Sequence, residues 1–320
     1  MNNTNILILS VGRRVELIRA LRKTLQHGNV SGTIIGSDIS DLAPALYDCD
    51  VKLKLPAVGD KKYLKELEKV IDEYSIRAII PTIDTELSLL AENKKRLEKN
   101  HDLTVFISNP KTVEIFQDKK TMFGHLSNHQ ILTPEVLNIN DRDSLKYPVF
   151  IKPSRGSSSI HAYQVHSPDE LMNLFDLIKE PIIQEYLSGN EYSVDLYVGN
   201  DHRIISESHR LRIKTRAGEI SIGQVTFVEA IHEAVKRIVK VFDFFGPLTM
   251  QFIEYNQKFY LIEINPRLGG GVPMSIAAGI DITKDIIHET TSTDHTIKTS
   301  RGMTKKYARF DQMVEVIGND

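Results

Sequence analysis

The chain is almost without cysteine. Cys49 is the only one in 320 residues, so no intrachain disulfide can form, and the sequence fits a reducing cytoplasm. It lies in Tyr47-Asp48-Cys49-Asp50, where flanking acids raise a thiol pKa and argue against a catalytic thiolate. No apolar run approaches membrane-spanning length, and the run at residues 5–11 is too short for a signal-peptide core. An excess of one charge is lacking as well. Forty Lys and Arg stand against 42 Asp and Glu, a net charge of −2, which argues against nucleic acid or an anionic membrane as the main partner and leaves room only for a local basic patch. There is no low-complexity tract and no fixed-period repeat. No Walker A loop occurs, and Ser10-Val-Gly12-Arg13-Arg14 has one glycine where a dinucleotide fingerprint needs three.

What is present is an ordinary globular composition, 41% hydrophobic and 26% charged, in a chain long enough for two or three packed units. The first hundred residues alternate strand and helix patterns. Apolar runs at 5–10, 32–36, 77–81 and 104–108 read as strands, with helical spacing at 15–25, 63–74 and 87–97. Such βα alternation implies a parallel sheet covered by helices. Asn109-Pro110 marks a boundary, followed by a helical stretch to about Asn128. After Pro134 the rhythm changes to hairpins, with strands expected at 148–152, 160–165, 181–187, 191–198 and 202–208. Ser167-Pro168-Asp169-Glu170 reads as a capping box opening a helix that reaches Ile178, and residues 226–242 read as a second long helix.

The most informative segment runs from Leu248 to Arg267. A short turn at 256–258 pairs two strands, and pairing Gln251 with Glu263 sorts their faces. Met250, Phe252, Ile262 and Ile264 fall on one side; Gln251, Glu263 and Asn265 fall on the other. One carboxylate and two amide oxygens suit magnesium that is also held by nucleotide phosphates. A half-exposed hairpin with a polar outer face is the competing explanation. Arg267 follows, able to stabilise charge on a transferring phosphoryl group, and Leu268-Gly-Gly-Gly271 precedes a short helix whose backbone N–H groups would bind an anion. A second segment, residues 148–160, ends an apolar strand with Lys152 and continues Pro153-Ser-Arg155-Gly156-Ser-Ser-Ser159, small residues that let backbone approach phosphates. A third, Pro181-Ile-Ile-Gln184-Glu185-Tyr186-Leu187-Ser-Gly189-Asn-Glu191, is a buried strand running into a glycine turn.

The joint order of these segments resembles the ATP-grasp superfamily, and is most similar to one ATP-grasp half of the carbamoyl-phosphate synthase large subunit. The matching pieces are Asp118-Lys119-Lys120, Phe150-Ile-Lys152-Pro153, Gln184-Glu185-Tyr186-Leu187, Gln251, and Ile262-Glu263-Ile264-Asn265-Pro266-Arg267, within residues 109–280. The loop after Lys152 is poorer in glycine than the family loop, and the gap from Leu187 to Glu191 is shorter than in the synthase. The resemblance implies an N-terminal α/β domain of pre-ATP-grasp type with a parallel sheet (1–109). An α+β ATP-grasp fold follows with two subdomains, a lid (110–187) and a C-terminal part carrying the metal site (188–320). It further implies ATP with magnesium, or manganese, as cofactors. Lys119 and Lys152 would contact phosphates. Gln184, Glu185 and Leu187 would bind adenine through the hinge, and Glu191 ribose. Gln251, Glu263 and Asn265 would hold the metal, and Arg267 with Lys152 would act on the reacting phosphoryl group.

Three functions follow from this resemblance. The first is a ligase activating a carboxylate as an acyl phosphate for attack by an amine. The second is a stand-alone or split relative of carbamoyl-phosphate synthase using bicarbonate or carbamate, paired as a homodimer or with a second polypeptide. The third is a non-catalytic ATP-binding module. Small-molecule carboxylates and amines are the expected partners. The acceptor side is less legible. Arg210, Arg212, Lys214 and Arg216 form a basic run that either holds an anion or is a solvated strand. Arg13, Arg14, Asp38, Asp84 and Glu86 lie at expected strand ends, where open α/β sheets bind ligands.

Overall fold

The computed structural model describes residues 3–156, 160–216, 218–294 and 296–316; Ser157, Ser158 and Ser159 of the small-residue loop lie outside them. The first unit contains β1 (Asn5–Ile8), α1 (Val15–His27), β2 (Ile34–Asp38), β3 (Val51–Lys54), α2 (Tyr63–Glu73), β4 (Ile76–Ile80), α3 (Leu87–Asn100) and β5 (Thr104–Val105). Its five strands are parallel in the order β3-β2-β1-β4-β5. Helices cover both faces, so the central strands are mostly apolar: Ile6, Leu7 and Ile8 are fully buried. The strand β3 has no sequence signal because it is an edge, half-exposed at alternate lysines.

The helical stretch after Asn109 is two helices, α4 (Pro110–Gln117) and α5 (Lys119–Asn128). Asp118 breaks it by leaving helical geometry and accepting a hydrogen bond from the Thr121 N–H, as Asn109 does from Thr112. Both helices bury Ile115, Phe116, Met122, Phe123 and Leu126 among Val194, Phe244, Leu248 and Phe252. Residues 110–128, which the sequence placed with the lid, therefore pack into the core of the C-terminal unit.

The lid sheet itself is β6 (Val136–Leu137), β7 (Val149–Pro153), β8 (Tyr163–Val165) and β9 (Pro181–Glu185), antiparallel in the order β6-β9-β7-β8. Helix α6 (Pro168–Leu177) covers it. The capping box forms: Ser167 Oγ accepts from the Glu170 N–H at 3.3 Å, and Glu170 Oε2 accepts from the His166 N–H at 2.8 Å. Val149, Ile151, Val165, Leu171, Ile178 and Ile183 give the lid a small core of its own.

The third unit contains β10 (Asn190–Val198), β11 (Ile204–Arg216), β12 (Glu219–Thr226), α7 (Glu229–Val241), β13 (Gly246–Tyr255), β14 (Lys258–Asn265), α8 (Val272–Ala278), α9 (Ile282–Thr290), β15 (Lys298–Thr299) and β16 (Lys305–Ala308). The sheet order is β14-β13-β10-β11-β12-β16, with β15 beside β11. Helix α7 begins three residues later than its spacing suggests, because Thr226 still pairs with His209 as the last residue of β12. Tyr197, Phe245, Leu268, Val272, Ile282 and Ile286 share one apolar cluster with Ile6, Ile18, Leu21 and Phe106. The first and third units are thus welded by a common core, which fixes the walls of the cleft between them. Among the described residues, no helix is long and apolar enough to cross a membrane.

Candidate active site

The hairpin β13–β14 pairs Gln251 with Glu263 and Thr249 with Asn265. Met250, Phe252 and Ile264 point into the core, and Gln251, Glu263 and Asn265 line a cavity of about 160 Å³ on the other face. Ile262 departs from the expected alternation. The register shifts between Gln251 and Phe252, so that Phe252 faces Leu261 and Ile262 is the extra residue of a β-bulge. Leu261 takes the core position, and Ile262 turns to the cleft beside Glu263.

A second cavity of similar size adjoins the first through Gln251, Glu263, Arg212 and Gly218, and is also lined by Lys119, Phe150, Lys152, Glu191 and Ile262. Lys152 reaches it from the end of β7. Its ammonium lies 5.5 Å from the Phe123 ring centre and 5.8 Å from that of Phe150. Burial lowers its pKa to about 8, with Glu263 opposing and Lys119 adding to the shift. Lys119, at the start of α5, donates to the Gly156 carbonyl at 2.7 Å and lies 3.7 Å from Glu263 Oε1. It therefore joins the loop after Lys152 to the acid on β14. Asp118 supports this corner by accepting from Ser154 Oγ at 3.0 Å and pairing with Arg155 at 3.2 Å.

Arg267 donates from Nε and Nη2 to Asp84 Oδ1 and Oδ2, both at 2.7 Å, and from Nη1 to the Leu268 carbonyl. Glu191 lines the second cavity and pairs with Arg212 at 3.1 Å. Gln184, Glu185 and Leu187 line neither cavity. Gln184 is buried within the lid sheet opposite Val136 and Phe150, and Glu185 accepts from the Glu135 N–H at 3.0 Å.

The glycine run after Arg267 serves close packing. A Cβ on Gly271 would stand 2.0 Å from Arg210 Nη1, on Gly270 2.5 Å from Glu219 Oε1, and on Gly269 2.7 Å from Thr249 Oγ1. The following α8 has only seven residues, so the expected helix-terminus anion site is replaced by a loop laid over side chains.

Arg210 is fully buried. Its Nε and Nη2 donate to Asp195 at 2.8 Å, and Asp195 also accepts from Ser275 at 2.6 Å and Thr249 at 3.4 Å. The basic run is therefore neither a single anion clamp nor a solvated face. Arg210 is neutralised inside, Arg212 lines both cavities, Lys214 is exposed, and Arg216 pairs with Asp311. Of the strand-end residues of the first unit, Arg14 and Asp84 reach the first cavity. Arg13 lies outside it near Asp311, and Asp38 accepts from the Gly12 N–H. Glu86 is buried beneath the cleft, accepting from Ser10 Oγ at 2.6 Å, and burial pushes its carboxyl up to about 7. Burial likewise pushes the Cys49 thiol up to about 12, as its acidic flanks lead one to expect.

Arg212, Ser193, Thr249 and Glu219 complete the first cavity; of these only Arg212, as part of the basic run, carries a signal in the sequence beyond alternation on its strand.

Comparison with known proteins finds three family models along the chain, the last two overlapping. Residues 6–105 match the family model described as PylC-like, N-terminal domain. Residues 124–222 match the D-ala D-ala ligase C-terminus, and residues 178–311 match the ATP-grasp in the biosynthetic pathway with Ter operon. A D-alanine–D-alanine ligase of Francisella philomiragia is 28% identical over 51% of this chain and 60% of its own. Another, from Bacillus anthracis, is 32% identical over 23% of this chain and 26% of its own. A carbamoyl phosphate synthase large chain of Lachnoclostridium phytofermentans is 26% identical over 41% of this chain and 14% of its own. The matches thus span from about a seventh to three fifths of these relatives. Among solved structures, the biotin carboxylase domain of Hydrogenobacter thermophilus 2-oxoglutarate carboxylase, a dimer with MgADP, ADP and bicarbonate, superposes with a TM-score of 0.74 at 15% identity. That match covers 93% of this chain and 72% of the other. N5-carboxyaminoimidazole synthetase of Staphylococcus aureus gives 0.72 at 19%, covering 93% and 81%.

Proposed function

We propose that this chain, which carries ATP-grasp domains, activates a carboxylate as an acyl phosphate with ATP and passes the acyl group to an amine. The observation that carries this reading is convergence. Three oxygen donors on two adjacent strands, Gln251, Glu263 and Asn265, share one cleft with two lysine ammoniums, Lys119 and Lys152. One carboxylate with two amides is a hard, weakly charged donor set, which fits magnesium, or manganese, held jointly with phosphates. Lys152 has no carboxylate within ion-pair distance among the described residues, which fits an ammonium kept for a phosphate.

In this mechanism a carboxylate oxygen attacks the γ-phosphorus, the bond to the bridging oxygen breaks, and ADP leaves. The amine nitrogen then attacks the acyl carbon, inorganic phosphate leaves, and the nitrogen loses a proton. Lys119 and Lys152 offset repulsion between the carboxylate and the triphosphate, and Arg267, held by Asp84, faces charge on the transferring group. A metal bound by Gln251, Glu263 and Asn265 would supply further charge stabilisation at the phosphates. The lid sheet, with its own core, is suited to close over the cleft and exclude water from the acyl phosphate. Glu191 would meet ribose and the hinge residues Gln184, Glu185 and Leu187 adenine, through backbone groups at the cleft edge.

Likeness to a carbamoyl phosphate synthase chain favours a second substrate class, bicarbonate, for which a second copy or another polypeptide would complete the reaction. The test is phosphate release from ATP across a panel of carboxylates and amines, with bicarbonate as a separate arm. Magnesium-dependent release requiring both a carboxylate and an amine supports the ligase. Release with bicarbonate alone supports the second class. Tight ATP binding without turnover on any substrate would leave a nucleotide-binding module.

A further inference from the structure

Four arginines line the first cavity, and they are not equivalent. Arg267 is held by Asp84 at 2.7 Å, Arg210 by Asp195 at 2.8 Å and Arg212 by Glu191 at 3.1 Å. Arg14 has no carboxylate within 4 Å among the described residues. Its Nη2 donates to the Thr82 carbonyl at 2.7 Å and its Nη1 to the Ser10 carbonyl at 3.5 Å. Those two bonds fix the plane of the guanidinium and leave three of its five N–H groups without a partner. Its Nε is buried with none.

The place is as telling as the pairing. Arg14 follows β1 and Thr82 follows β4, and β1 lies between β2 and β4 in the sheet. Loops leaving the carboxyl ends of such strands at a change of strand order are where open sheets bind ligands. The loop is specially shaped: Ser10 and Gly12 take φ of 47° and 50°, in the left-handed region, and the Gly12 N–H is tied to Asp38. Arg14 belongs to the first unit, whereas the oxygen donors Gln251, Glu263 and Asn265 belong to the C-terminal sheet. A group held by Arg14 is therefore gripped from a different unit than the one that carries the oxygen donors, although both line the same cavity. The cavity, about 160 Å³, lies below the roughly 300–1,000 Å³ of drug-sized sites.

We propose that Arg14 is a specificity-determining residue that clamps the non-reacting carboxylate of the acceptor, so that the amine substrate is a small amino acid. The assignment rests on the ATP-dependent ligase function proposed above. A planar guanidinium with free donors matches a carboxylate in two parallel hydrogen bonds, which a simple amine or ammonia cannot exploit. Glu219 lines the same cavity, one carboxylate oxygen paired with Arg309 at 3.1 Å and the other left for an ammonium group arriving with the carboxylate.

The test is thermal shift of the full chain saturated with magnesium and a non-hydrolysable ATP analogue. The probes are the standard L-amino acids and D-alanine, each set against its own carboxamide. At least one free amino acid is expected to raise the melting temperature of the wild type while its amide does not. In Arg14→Gln the amino-acid shift should vanish, at least about a tenfold loss in affinity by the saturation relation, with the nucleotide shift intact. Arg14→Lys, which keeps the charge and loses the fork, should show an intermediate loss and guards against misfolding of the glutamine variant. Amides that stabilise as well as acids, an undiminished shift in Arg14→Gln, or no amino-acid shift while the nucleotide binds would each overturn the proposal. A wild type that fails to bind the magnesium nucleotide would instead overturn the ligase function on which it rests.

Discussion

Arg267 and Asp84 grip each other across the cleft through two hydrogen bonds of 2.7 Å, the arginine after β14 and the acid after β4. The contact links the sheet that carries the oxygen donors to the sheet that carries Arg14. It also fixes the orientation of the Arg267 guanidinium, with donors remaining for the phosphoryl oxygen proposed above.

Asp84→Asn is expected to lower turnover about tenfold or more by releasing that orientation, with a stability loss of about 1–3 kcal/mol typical of a hydrogen bond to a charged group. Urea unfolding of Asp84→Asn, Arg267→Gln and the double variant checks it. The second substitution should add little once the first is made, whereas additive losses would show that the two residues act separately.

Glu263→Ala tests the oxygen-donor cluster. The side chain points into the cleft and away from Met250, Phe252 and Ile264, so the fold should survive with a change of about 0.5 kcal/mol or less, as at a surface site. Magnesium-dependent phosphate release should fall by at least about a hundredfold. Normal turnover in a folded variant would remove the metal assignment.

That cluster was legible because alternation along β13 and β14 leaves little freedom: once Gln251 faces Glu263, Asn265 follows. Ile262 was not, since a bulge is decided by pairing across strands and both residues at such a point are apolar or acidic by chance of sequence. Partners were hidden for the same reason. Arg210 and Arg212 show as a basic run, but Asp195 and Glu191, which neutralise them, sit on β10 and become neighbours only in the sheet. The parallel sheet of the first unit was readable from its apolar runs except at β3, whose outer face is wet. The allegiance of α4 and α5 was unreadable, because an amphipathic helix declares that it packs and leaves its partner undeclared.

Lys152 makes a prediction about protons. Burial holds its ammonium at a pKa of about 8, while an exposed lysine in the unfolded chain titrates near 10.4. Between those values the unfolded chain binds the extra proton, so the stability penalty of Lys152 is complete below pH 8 and fades as pH rises. Lys152→Met should therefore melt higher than wild type at pH 7, with the difference shrinking toward pH 9.5. Phosphates beside the ammonium raise its pKa, so nucleotide binding at pH 9 should take up protons in the wild type and fewer in Lys152→Met. Titration calorimetry in two buffers of different ionisation enthalpy reads this directly, and equal proton uptake in both proteins would detach Lys152 from the phosphates.

The pair of Arg210 and Asp195 sets the limit of what the cleft tolerates. Both side chains are buried, and Asp195 also accepts from Ser275 and Thr249, so it anchors β11, β13 and α8 at once. Asp195→Ala strands a buried guanidinium and should cost about 3–5 kcal/mol. Gly271→Ala approaches the same arginine from above. The added methyl would lie 2.0 Å from Nη1 and 2.7 Å from Cζ of a side chain that its ion pair holds in place, so the loop rather than the arginine must yield. Its expected cost is about 1–3 kcal/mol, the usual price of overpacking. Moving that loop also moves Arg267, four residues before Gly271 along the same cavity wall, so turnover in Gly271→Ala should fall further than its melting temperature alone would suggest. Stability and turnover that decline in step, as in an unrelated core variant such as Leu67→Ala, would show instead that the loop transmits nothing to the site.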